Sequence, residues 1–178
     1  MTYSVGQTAV IVPVPAVNSL VAPWRSRFDI SAGFGVPPHV TVLYPFLPLE
    51  RIGNADAQAL QAIFAAEASF TVTFARLGEF PETADTAGPL YLDPDPADPF
   101  RRLTTAVATR WPEAPPYGGA YPDPIPHLTI TEVAPPDSKL AARASIGPGL
   151  PITTRIDAGC LLVFDGSRWF ENAALPFG

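Results

Sequence analysis

The chain predicts a bilobal α+β fold built from two matching β-α-β-α-β halves related by a pseudo-two-fold axis. Three observations carry that prediction. Strand-like and helix-like runs alternate in the same order twice, over about residues 8–76 and 88–157. The first strand of each half closes on a Pro-x-Pro, Pro13-Val14-Pro15 and Pro94-Asp95-Pro96. In each half a loop rich in Gly, Pro and aromatic residues then leads into a frame holding one of the chain's two histidines. These frames are Pro38-His39-Val40-Thr41-Val42 and Pro126-His127-Leu128-Thr129-Ile130. Two copies make a long-period duplication rather than a repeat array. With further strands after the second half, residues 1–178 form a single bilobal domain.

The elements follow in order. Thr8 to Pro13 is a strand ended by proline. Val17, Leu20, Val21, Trp24 and Phe28 fall at helical spacing over 16–29, and Pro23 either kinks this helix or starts a new one. A loop over 31–38 enters the strand His39 to Tyr44, stopped by Pro45 and Pro48. Asn54 caps a helix to about Ala68, with Leu60, Ile63 and Phe64 turned inward. Phe70 to Arg76 alternates as a strand.

The second half opens with the strand Leu90 to Asp93. Asp98 caps a helix with Pro99 at its first position, running to Trp111 with Phe100, Leu103 and Val107 on one face. A loop over 112–126 contains Tyr117-Gly-Gly-Ala-Tyr121 and precedes the strand His127 to Thr131. Asp137 or Ser138 caps a helix ending near Gly147. Ile152 to Asp157, 160–164 and 168–174 add strands.

Composition bounds the function. The chain has 178 residues, 47% of them hydrophobic, enough for a packed core. No apolar run reaches the ~18 residues of a membrane span. No Lys or Arg precedes the apolar stretch within Met1 to Val17, which argues against a secretory signal. The cytoplasm and a monomer are the default expectations. The net charge of −6 and the absence of a long Lys/Arg run disfavour a duplex nucleic acid held by its backbone. A short or single-nucleotide phosphate needs only one or two cations and stays open. Cys160 stands alone in an apolar run and reads as a small buried hydrophobe.

Alternate residues of a strand share a face. His39 and Thr41 therefore oppose Val40 and Val42, and His127 and Thr129 oppose Leu128 and Ile130. Each strand buries an aliphatic face and offers an imidazole and a hydroxyl to the space between the lobes. With an ordinary pKa of roughly 6.5, one imidazole can be neutral and the other charged near neutral pH. The neutral one accepts a proton from water or a ribose hydroxyl, and the charged one protonates the leaving oxygen. Threonine hydroxyls donate to the non-bridging phosphate oxygens. This chemistry needs no metal or cofactor, and two histidines without neighbouring acids or thiols make a poor zinc set. Asp93-Pro-Asp-Pro-Ala-Asp98 lacks the Gly and Glu of a calcium loop and reads as a capping turn. There is no phosphate loop ending in Lys-Ser/Thr.

The paired Pro-His-Val-Thr-Val and Pro-His-Leu-Thr-Ile segments resemble the two signature motifs of the 2H phosphoesterases. That superfamily includes bacterial 2′-5′ RNA ligase-like proteins and cyclic nucleotide phosphodiesterases. The resemblance extends from Trp24-Arg-Ser-Arg27 through Pro37-Pro-His-Val-Thr-Val-Leu-Tyr-Pro-Phe46, and the bilobal order covers most of the chain. It implies a bilobal α+β fold with antiparallel sheets flanking a central cleft. It also implies metal-independent attack on a 2′,3′-cyclic phosphate or a 2′-5′ linkage. His39 and His127 would be the acid and base, with Thr41 and Thr129 on the phosphate. The substrate would be a small nucleotide or a short RNA end. Where some ligase-like members carry an arginine soon after the second motif, this chain has Thr131-Glu132-Val133-Ala134.

Further candidates lie around the motifs. Phe34 and Tyr121, on the loops entering the two strands, either stack on a base or pack their loops. Tyr44 follows Val42 by alternation, which favours the core. Arg25, Arg27 and Arg155 either reach phosphate or stay at the surface, with Arg25 the substrate-binding candidate. Arg168-Trp169 lies at the cleft mouth or closes the core. The same features also allow reversible 2′-5′ RNA joining, a module that binds a phosphate ligand without turnover, or a structural duplicate with buried histidines.

Overall fold

A computed structural model describes residues 3–82 and 88–178. Among these, the element order is β1 (Thr8–Pro13), α1 (Asn18–Phe28), α2 (Ile30–Gly33), β2 (His39–Leu43), α3 (Asn54–Ala65), β3 (Phe70–Glu79), β4 (Leu90–Asp95), α4 (Asp98–Arg110), β5 (Leu128–Thr131), α5 (Pro136–Ile146), β6 (Ile152–Ile156), β7 (Ala158–Phe164) and β8 (Trp169–Pro176). The strands form two four-stranded antiparallel sheets, ordered β2-β1-β7-β8 and β5-β4-β3-β6. The α+β architecture with antiparallel sheets in two lobes is as the sequence predicts. No helix among the described residues is long and apolar enough to cross a membrane.

The two sequence halves interlock. β3, which ends the first half, pairs with β4 in the second sheet. β7, which follows the second half, pairs with β1 in the first. The helices cross over as well, α1 packing on β5 and α4 on β2. The Phe28 carbonyl at the end of α1 accepts the Glu132 and Val133 amides at 2.7 and 3.1 Å. The Thr104 hydroxyl of α4 donates to the Val42 carbonyl at 2.9 Å. Each histidine strand is thus clamped by the helix of the other half, which fixes the two strands relative to each other.

One core lies behind both. Val40, Val42, Leu128 and Ile130 are buried in the same apolar cluster as Val10, Val12, Phe64, Phe100 and Leu103. α3 and α4 are tied by the Trp111 indole, which donates to Asp56 at 3.0 Å.

Several local expectations shift. The α1 helix runs through Pro23 and begins at Asn18, after a 3-10 turn over Pro15–Val17. The predicted loop 31–38 starts with the short helix α2, capped by the Asp29 side chain on the Ser31 amide. Asn54 is the first residue of α3 rather than its cap. Gly53 takes the cap position, and its amide donates to Asp56 at 3.1 Å. Likewise α4 starts at Asp98 with Ala97 as cap, and α5 starts at Pro136 with Pro135 as cap. Proline in the first turn supplies the right φ without a lost amide, so it begins a helix one or two residues early.

Candidate active site

The edge strands β2 and β5 lie against each other, so the two histidine frames meet where the sheets adjoin. The alternation is as expected along both strands. His39 and Thr41 are partly exposed while Val40 and Val42 are buried, and His127 and Thr129 are partly exposed while Leu128 and Ile130 are buried. The matching extends to the strands beside them. Ile11 pairs with Thr41 and Val10 with Leu43, skipping Val42, while Tyr91 pairs with Thr129 and Leu90 with Thr131, skipping Ile130. Each histidine strand therefore carries a β-bulge one residue after its threonine.

The imidazoles are held in the same way. His39 Nδ1 lies 2.8 Å from the Pro37 carbonyl, and His127 Nδ1 lies 2.7 Å from the Ile125 carbonyl. A carbonyl only accepts, so each Nδ1 carries the proton and each neutral ring keeps a lone pair on Nε2. Burial pushes the His39 pKa down to about 4 against the Pro37 bond, which favours the charged form; the Arg25 guanidinium lowers it further, Asp29 raises it and the charge of His127 lowers it. His127 is also lowered by burial, opposed by its bond to Ile125.

The surroundings of the two rings differ. Phe80 and Tyr91 meet the His127 ring with centroids 4.8 and 5.5 Å away, at 80° and 62°. Tyr91 reaches this place because it lies across Gly78, where an added Cβ would collide with the tyrosine ring. On the first lobe, Ile11 shares the face of Thr41 and belongs to a cluster with Val36, Cys160, Leu162, Phe164 and Trp169, against which Tyr3, Phe34 and Tyr44 pack. The Cys160 thiol is buried, and burial pushes its pKa up to about 12.

The predicted substrate-binding residues are placed as follows. Thr41 and Thr129 stand on the faces of His39 and His127. Thr41 lines a small hollow beside β2 together with Tyr117, Thr104 and Pro124. Phe34 packs edge-on against Tyr3 and Phe164, at 5.2 and 5.8 Å. Tyr121 is 56% exposed, its ring 5.6 Å from that of Tyr117. Arg25 is buried, not at the surface: it contacts Asp29 at 2.8 Å and the Val36 carbonyl at 3.2 Å. Tyr44 departs from simple alternation, because the bulge at Val42 puts both Val42 and Leu43 into the core and turns Tyr44 back to the side of Thr41. Its hydroxyl accepts from the Gln7 amide at 2.9 Å. Trp169 is in the buried cluster and Arg168 is exposed.

Tyr91, Phe80 and Tyr117 are not among the sequence candidates. Tyr91 is within reach of the same alternation that places the histidines, since it sits between the inward Leu90 and Leu92. Among the described residues no group of three or more His, Cys, Asp or Glu is arranged to hold a metal ion.

A family model described as the 2′-5′ RNA ligase superfamily matches residues 12–168. Among solved structures, TT0787 of Thermus thermophilus superposes with a TM-score of 0.60 at 18% identity, covering 96% of this chain and 97% of that one. E. coli LigT complexed with NADP+ gives 0.57 at 14% identity, covering 98% and 99%. LigT complexed with 3′-AMP gives 0.56 at 15% identity, again covering 98% and 99%. No curated protein matches.

Proposed function

The chain belongs to the 2′-5′ RNA ligase superfamily, and from that premise we propose that it is a metal-independent phosphodiesterase acting on a 2′,3′-cyclic phosphate or a 2′-5′-linked nucleotide. The observation that carries this reading is the matched pair of imidazoles, each tied through Nδ1 to the carbonyl two residues earlier and each keeping Nε2 for proton transfer. One neutral Nε2 takes a proton from water as the water oxygen attacks phosphorus. The opposite P–O bond breaks, and the second imidazole, protonated, gives its proton to the departing ribose oxygen. One ring gains the proton the other loses, and exchange with solvent resets the pair. Thr41 and Thr129 donate to the non-bridging oxygens, where charge grows.

E. coli LigT is crystallised with NADP+, ATP and 3′-AMP, which supports a small nucleotide or a short RNA end as the ligand of this related fold. The net charge of −6 weighs against a long RNA bound along its backbone, and so against 2′-5′ joining of long strands.

The test is hydrolysis of the four nucleoside 2′,3′-cyclic phosphates in excess EDTA. Turnover is expected to be unchanged by the chelator. Loss of all turnover would sink the metal-free mechanism, and tight nucleotide binding with no cleavage would leave a binding module.

The two lowered histidines also fix a pH dependence. Both pKa values sit below the ordinary 6.5, so in the free enzyme the required proton is lost as pH rises through that lowered range. The bell-shaped profile of kcat/KM is therefore expected to centre on the acid side of roughly 6.5, its two limbs belonging to the pair rather than to either ring. A bell centred above neutrality would contradict this electrostatic setting.

A further inference from the structure

We propose that Tyr91, with Phe80 against it, is the positioning residue of His127, holding the imidazole edge-on so that its free nitrogen stays aimed at the ligand. This rests on the cleft being a phosphodiester site.

His127 needs such a support more than His39 does. His39 is the first residue of β2 and pairs with Pro13 of β1. The strand β5 begins only at Leu128, so His127 stands one residue before it, at the end of a loop that holds Pro122, Pro124 and Pro126. Its Nδ1 bond to the Ile125 carbonyl stays within that same loop. One hydrogen bond leaves a ring free to rock about it. Two aromatic contacts remove that freedom, because Phe80 and Tyr91 both meet the imidazole at steep angles, 80° and 62°. Contacts of this edge-on kind have a preferred direction. The two supporting rings also hold each other, with centroids 4.5 Å apart.

The sheet delivers both rings. Tyr91 pairs with Thr129 of β5 on one side and with Gly78 of β3 on the other. Glycine at 78 lets the tyrosine lie down across β3, where any side chain would collide with it. Phe80 stands two residues further along the same strand path, and its amide donates to the Pro89 carbonyl at 3.0 Å. Rings anchored on paired strands thus hold a histidine that its own strand does not.

The charges nearby already have partners. Asp93, two residues after Tyr91, takes Arg76 at 2.7 Å, and Glu79, beside Phe80, takes Lys139 and Arg143 at 2.8 Å each. On α1, which packs on β5, Arg25 is tied to Asp29. His39 stands on the adjoining strand β2. Burial is the larger influence on His127 and lowers its pKa. Loss of the tyrosine ring would therefore admit water and let that pKa rise.

The experiment compares Tyr91→Leu with Tyr91→Phe. The chain has only two histidines, so NMR follows each imidazole through a pH titration, with His39→Asn assigning the pair. In Tyr91→Leu the His127 midpoint is expected to rise toward the ordinary value of roughly 6.5, while that of His39 stays in place. Its kcat on a 2′,3′-cyclic nucleotide should fall about tenfold with KM near wild type, on the order of what such ring contacts supply. Tyr91→Phe keeps the ring and should match the wild type in both measurements. An unmoved His127 midpoint in Tyr91→Leu would overturn the proposal. So would equal shifts of both histidines, which would mean a loosened cleft, or a Tyr91→Phe as slow as Tyr91→Leu, which would put the hydroxyl on the ligand instead. Should Tyr91→Leu fail to fold, Phe80→Leu is read against the same expectations. If the wild type cleaves no cyclic phosphate, the phosphodiesterase reading fails by itself. The titrations then decide alone: a shift of His127 in the leucine variant only supports the ring as its holder, and no shift overturns it.

Discussion

Replacing His39 or His127 with alanine is expected to lower kcat for cyclic-phosphate hydrolysis by about 10²–10⁴-fold each, or roughly 3–5 kcal/mol of transition-state stabilisation. In the proposed mechanism the two rings carry complementary halves of one proton exchange, so the double variant should fall little below the worse single one, as groups acting as a unit do. KM should move little, because the threonine hydroxyls proposed to hold the phosphate remain in place. Stability should also hold. Both imidazoles are only partly buried, and each bonds one carbonyl near its own strand. Asparagine at either position keeps a polar group of similar reach but cannot shuttle a proton at neutral pH, so it should be as inactive as alanine. A variant at either position that keeps wild-type kcat would remove that histidine from the chemistry. If both did so, the matched frames would be a structural duplication only.

The parts of this site that are legible in the sequence are those set by local periodicity. A strand repeats every two residues, so His-x-Thr against Val-x-Val sorts into two faces from spacing alone. The duplicated order then points to two such faces in one molecule. Long-range pairing is not legible. Nothing in Phe70 to Glu79 says that β3 joins the sheet of the other half, because its partners are fixed by packing across the molecule. Tyr44 shows how one extra residue defeats a local rule. The bulge at Val42 shifts every later side chain to the opposite face, and bulges leave no single-residue signature here. Tyr117 lies in a loop already marked by its two glycines. Which tyrosine turns inward depends on a left-handed backbone angle that composition does not specify. Arg25 is readable as a cation but not as a buried one, since its partner Asp29 is one helical turn away and its seal, Val36, lies in the next loop.

That buried pair gives the largest effect on stability. Asp29→Ala is expected to cost about 3–5 kcal/mol, because it strands a guanidinium that has lost its water and its counter-ion. The side chains of Arg25 and Asp29 are 4% and 3% exposed. Arg25 Nε donates to Asp29 at 2.8 Å, and a terminal nitrogen reaches the Val36 carbonyl at 3.2 Å. The other carboxylate oxygen accepts from the Ser31 amide at 2.9 Å and the Ser31 hydroxyl at 2.7 Å, capping α2. One ion pair therefore joins the end of α1, the start of α2 and the segment that delivers Pro37, Pro38 and His39. For a chain of this size each kcal/mol lowers the thermal midpoint by about 2–4 °C, so a drop on the order of 10 °C is expected in calorimetry. Replacing both partners with apolar residues, Arg25→Met with Asp29→Leu, removes the stranded charge and should recover much of the loss. The double variant also separates the two possible duties of Arg25. With the fold restored and the guanidinium gone, KM should stay near wild type if Arg25 only braces the His39 segment. A large rise in KM at recovered stability would instead mean that the guanidinium leaves Asp29 to meet phosphate, which its present bonds to Asp29 and Val36 oppose.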